Sequence, residues 1–120
     1  MRQTAIALYS YWNSFNIPAY PEDNVPDDVQ LPYITYELAR SDWKGQSLTH
    51  VRVWYRDTSY ISITDKVNEI AESIGEGKIL PTSSGFVALF KDTNFCQFQP
   101  TGDVDLKIAY LSFVMETNTY

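Results

Sequence analysis

A single histidine, His50, and a single cysteine, Cys96, make up the whole imidazole and thiol inventory of the chain. Together they offer a nucleophile and a base, which requires hydrogen-bond reach between them and a third group to orient the base. The local pattern instead reads as a strand histidine and a small, buried thiol. A closed zinc site needs four ligands, and one His with one Cys cannot supply it. Asp27-Asp28 and Asp103-Val104-Asp105 are carboxylate pairs, chemistry suited to a hard cation or to acid–base work. Neither has the ligand count of a calcium loop, and both sit among turn-forming residues. Gly75-Glu76-Gly77 lacks the Lys-Ser/Thr and the further glycines of a phosphate loop, and reads as a helix C-cap and turn. Glu69, Glu72 and Glu76 read as the solvated side of a helix. No enzyme class, cofactor or metal is supported by these residues.

Reactive chemistry is sparse, and the more informative residues are those that make surfaces. Arg52, Trp54 and Arg56 alternate along one predicted strand, so they share a face and place an aromatic ring and two guanidinium forks outward. Trp43 lies in a predicted hairpin turn, either folded back on its own strands or set against a partner; interface cores favour Trp and Arg. Glu37 is expected to pair across the hairpin with one of the arginines. Between Pro18 and Pro32 the chain carries Glu22, Asp23, Asp27 and Asp28 and no basic residue. These four acids, with Trp43, Arg52, Trp54 and Arg56, form the candidate subunit or partner interface.

The elements that must position these residues can be read from apolar spacing. Ala5, Leu8, Trp12 and Phe15 recur at helical intervals, predicting a helix over Gln3–Phe15 that ends before Pro18. A proline-rich, irregular connection follows to Pro32. A hairpin is predicted next, Tyr33–Arg40 against Leu48–Arg56, with Thr49, Val51, Val53 and Tyr55 on the core side and His50 beside the arginines on the other. Tyr60, Ile63, Val67, Ile70 and Ile74 form the stripe of a second helix, capped by Thr58 or Ser59 and closed by Gly75. Phe86–Lys91 and Phe95–Gln99 read as one strand region bent around Asp92-Thr93-Asn94. Thr101-Gly102-Asp103 turns the chain into Leu106–Glu116, a strand apolar on both faces, which places it centrally or beneath another subunit. The expected fold is α+β in a single domain over residues 1–120: a four-stranded, mainly antiparallel sheet with two helices on one face, in the order α-β-β-α-β-β.

Composition bounds the function. With 120 residues, 44% hydrophobic and 15% aromatic, the chain suffices for one core. A formal net charge of −6 opposes specific nucleic-acid binding and an anionic membrane as partner. Apolar runs fall far short of the ~20 residues needed to span a bilayer. One cysteine excludes an internal disulfide, and no signal-peptide pattern opens the chain, so an intracellular product is expected.

Taken in order, the N-terminal helix, the proline-rich connection, Leu31-Pro32-Tyr33-Ile34-Thr35-Tyr36, the polar hairpin, Thr49-His50-Val51-Arg52-Val53-Trp54-Tyr55-Arg56 running into a helix, Leu80-Pro81 and the closing Leu106–Met115 strand resemble the tail-completion, or tail-terminator, proteins of long-tailed bacteriophages and prophages. The resemblance covers nearly the whole chain and rests on element order and apolar spacing, not on a catalytic motif. It implies a non-enzymatic virion component made in the bacterial host cytoplasm. Such proteins form a ring, commonly a hexamer, at the head-proximal end of the tail. Their partners are their own copies, the major tail tube protein and the connector or neck proteins of the head. DNA passes through such a ring without specific binding, and an acidic lining suits that passage. Two alternatives stand beside it: another neck or minor capsid protein on a similar scaffold, and a small ligand-binding domain or enzyme using His50, Arg52 and Tyr55.

Overall fold

The computed structural model describes residues 2–38 and 45–119. Helix α1 (Arg2–Trp12) runs into a 3-10 turn (Asn13–Phe15); then come β1 (Ala19–Pro21), β2 (Tyr33–Tyr36), β3 (Gly45–Arg56), α2 (Ile61–Ile74), β4 (Lys78–Pro81), β5 (Gly85–Gln99) and β6 (Leu106–Thr119). The strands form one six-stranded mixed sheet, in the order β1-β2-β3-β6-β5-β4, curled into a half-barrel. This corrects the expected four-stranded, mainly antiparallel sheet in the order α-β-β-α-β-β: each half of the chain has three strands, and the first pair is parallel. Both additional strands are edges of three and four residues, and both end in proline, Pro21 and Pro81. Short proline-bearing edges leave no period-two signature, and their pairing is imposed from outside: β1 lies parallel on β2, and β4 lies antiparallel on β5.

The two helices pack on one face of the sheet. Leu8, Trp12 and Phe15 of the N-terminal helical segment meet Ile63, Val67, Ile70 and Ile74 of α2 over Val51, Val53, Leu111, Phe113 and Met115. The Trp12 and Phe113 rings stand 5.4 Å apart at the centre. Tyr60, the first residue of the expected α2 stripe, is 51% exposed instead, since the helix begins one residue later. The N-cap of α2 is Tyr60, without a side-chain cap bond, and not Thr58 or Ser59; the turn before it is fastened instead, Ser59 Oγ accepting from the Ile61 N–H and the Asp57 carboxylate from the Ser59 N–H and the Ser62 hydroxyl. At its end Gly75 takes φ 55°, a conformation that costs a side-chain-bearing residue, and donates to the Ala71 carbonyl.

Strand β6 is central, flanked by β3 and β5; its Leu111, Phe113 and Met115 are buried toward the helices, while Tyr110 and Val114 stay half-buried on the face that the helices leave uncovered. Opposite it, β5 changes phase. Lys91 faces Phe113 while Cys96 faces Leu111, so five steps along β5 match two along β6. The three extra residues invert the alternation, letting both Leu89 and Cys96 face the helices, and Phe95 folds onto Phe113 at 5.3 Å.

Candidate subunit interface

The sheet face away from the helices carries the surface-forming residues. Along β3, Thr49, Val51 and Val53 are buried toward the helices, while His50, Arg52 and Trp54 are half-buried and Arg56 is exposed on the other side. The arginine–tryptophan stripe therefore faces outward as expected. Its members are held by neighbours in the same chain. Trp54 stacks on Tyr33 with centroids 5.5 Å apart and planes within 14°, and its Nε1–H donates to Thr35 Oγ1 at 3.0 Å. Tyr20 meets the edge of Tyr33 at 6.3 Å, so an aromatic row crosses β1, β2 and β3. One step along, the Arg52 guanidinium lies 4.8 Å from the Tyr110 ring and the His50 ring stacks on the same tyrosine at 4.8 Å. Burial raises the Tyr110 phenol above its usual value, an effect that Arg52 offsets in part.

Electrostatic pairing differs in one respect from expectation. Glu37 does not take an arginine; its carboxylate meets His50 Nδ1 at 2.6 Å. Arg52 reaches instead to Glu22 at 3.4 Å, and Arg56 to Asp103 at 3.6 Å. The reason is register. Tyr36 pairs with Val51, so Glu37 continues opposite His50, and its backbone N–H donates to the His50 carbonyl. Of the four connection acids, Glu22 is thus drawn onto the sheet face by Arg52, while Asp23, Asp27 and Asp28 stay exposed along the loop. Trp43 and the polar turn around it lie outside the described residues.

The reactive inventory does not converge. Tyr55 sits on the opposite sheet face from His50 and Arg52, which separates the trio of the enzyme alternative. Cys96 also faces the helix side, with its thiol pushed up by burial. Ser112 stands opposite His50 in the ladder, an arrangement of acid, imidazole and hydroxyl that the sequence does not show because it joins the residue after β2 to β3 and β6. Glu37 and His50 are bonded, but no hydrogen bond joins His50 to Ser112 among the described residues. No group of three His, Cys, Asp or Glu among the described residues is placed to hold a metal ion.

A second surface lies on the other side of the molecule. A groove of about 560 Å³ runs between α1 and the β4 edge, with Ile6, Ala7, Leu80 and Pro81 as its apolar wall and Ser10 and Ser83 among its rim hydroxyls. No residue pattern signals this groove directly, because its second wall is an edge strand with no pattern of its own. No family model and no curated protein matches the chain. No helix among the described residues is long and apolar enough to cross a membrane.

Proposed function

We propose that this protein is a structural component of a bacteriophage or prophage virion, a tail terminator or head–tail joining protein that forms a homo-oligomeric ring, a hexamer, at the head-proximal end of the tail. The observation that carries this reading is the uncovered sheet face. Both helices lie on one side, leaving Tyr20, Tyr33, Trp54, Arg52 and Tyr110 as a half-exposed aromatic and guanidinium platform. Platforms of this composition suit the centre of an interface with another protein, here the tail tube or the head connector on which the ring sits, because aromatic residues and arginine dominate binding energy there. The resemblance of the Leu31–Tyr36 and Thr49–Arg56 segments supplies the biological setting, with the major tail tube protein and the head connector as neighbours. A net charge of −6 accords with a ring through which DNA slides without being held.

The partners include no membrane and no cofactor in this reading, and the function is assembly, not catalysis. The test is to image the head-proximal tip of assembled tails and count copies of this chain. Several copies in a closed ring support the proposal; a single copy, or virions that lack the chain, would refute it.

A further inference from the structure

The turn between β5 and β6 is built as a rigid protrusion. Thr101 Oγ1 lies 2.9 Å from the carbonyls of both Asp103 and Leu106, and the Asp103 N–H donates back to that hydroxyl at 3.1 Å. The Asp105 N–H donates to Asp103 Oδ1 at 2.9 Å, and the Asp57 N–H donates to the Asp105 carbonyl at 2.7 Å. The Lys107 ammonium, on a residue only 8% exposed, donates to the Val104 carbonyl. All this order serves to hold Val104 at the apex, 73% exposed, with a carboxylate on either side. A pre-organised apolar tip loses little conformational entropy on insertion into a partner.

The α1–β4 groove has the complementary character. Its wall is apolar, its rim carries hydroxyls able to donate to carboxylates, and none of its lining residues is charged. The first 21 residues, which supply one wall, contain no acid, and Lys78 stands beside the groove with Nζ 5.9 Å from the Tyr11 ring. Turn and groove cannot meet within one copy. The turn is tied to the start of α2 through Asp57, whereas the groove wall is tied near its end by the Tyr11–Ser73 hydrogen bond of 2.7 Å. A helix of 14 residues separates those ends by roughly 20 Å at 1.5 Å per residue. A projection at one end and a matching recess at the other make a head-to-tail contact, the kind that closes into rings. Extension of the sheet from copy to copy is disfavoured by the short, proline-bearing edges.

We infer that the Val104 turn of one copy seats in the α1–β4 groove of a second copy, and that this is the contact repeated around the ring. The inference rests on the proposed self-assembly and names its chemistry, leaving the Trp54 face for the tail tube or connector. The test uses the full chain in a Cys96→Ser background carrying both Ser10→Cys and Val104→Cys, oxidised as free protein at high concentration and in assembled tails. The expected result is a ladder of disulfide-linked oligomers, with single-cysteine variants giving dimers at most. In parallel, Val104→Arg, an exposed change that spares the fold, should weaken self-association at least tenfold. If wild-type rings form but the ladder is absent and Val104→Arg still assembles, the contact is wrong while the ring stands. If the wild-type chain remains single-copy both free and on tails, the contact and the ring fail together.

Discussion

At the residue scale, Asp57 ties the start of α2 to the loop before it. Its carboxylate accepts from the Ser59 N–H and the Ser62 hydroxyl, and these bonds hold its pKa below the ordinary 3.8. A carboxylate whose native pKa is lowered contributes stability that is fully present above its unfolded value. That contribution is lost as pH falls from about 3.8 through the lowered native value. Acid unfolding of the wild type should therefore steepen below pH ~4, and Asp57→Asn should flatten that limb; identical acid limbs for the two proteins would remove the assigned role. His50 and Cys96 make the opposite case. Cys96→Ala and His50→Gln should leave the proposed assembly intact, at a packing cost of roughly 1–2 kcal/mol for the half-buried thiol in thermal melts. Loss of assembly in a fully folded Cys96→Ala or His50→Gln protein would show that these groups have chemical work to do.

At the element scale, legibility followed apolar content. The α2 stripe, the β3 alternation and the two-faced β6 could all be read in the sequence, because each buries large side chains at its own period. β1 and β4 could not. Ala19-Tyr20-Pro21 is fixed by neighbours: Asn13 Oδ1 accepts from the Ala19 N–H at 3.0 Å while its amide donates to the Tyr9 and Ala19 carbonyls. β5 was legible only as a bend, since three extra residues invert the side-chain phase and split one strand into two patterns. Gly77 marks how β4 is attached. A Cβ there would stand 2.6 Å from Phe90 Cε1, so the ring must shift to admit one. Gly77→Ala is expected to destabilise the fold by about 1–3 kcal/mol, and adding Phe90→Leu should return part of that loss. Denaturant melts of the single and double variants measure the coupling, and simple additivity would show that the ring does not set the spacing.

The whole molecule is a one-sided structure, and that asymmetry is what made its candidate site partly readable. Alternation placed Arg52, Trp54 and Arg56 outward without knowledge of the fold, but it could not give their partners. Glu22, Tyr33, Thr35 and Tyr110 arrive from other strands through register. These intramolecular contacts sharpen what truncating Trp54 should do. The side chain stacks and donates a hydrogen bond inside its own copy, so Trp54→Ala should lower stability, by roughly 1–3 kcal/mol for a half-buried aromatic. The core lies on the opposite face, built on Trp12, Ile70 and Phe113, so the copy should still fold cooperatively. Under the proposed tail role, incorporation into tails should fall much further, at least tenfold, because a central aromatic commonly carries about 2 kcal/mol or more of binding energy. Melting curves and the number of copies retained per tail give the two quantities on one sample. A folded variant that fills tails normally would confine Trp54 to stabilising its own sheet face, and the contact with the tail or connector would have to lie elsewhere on the molecule.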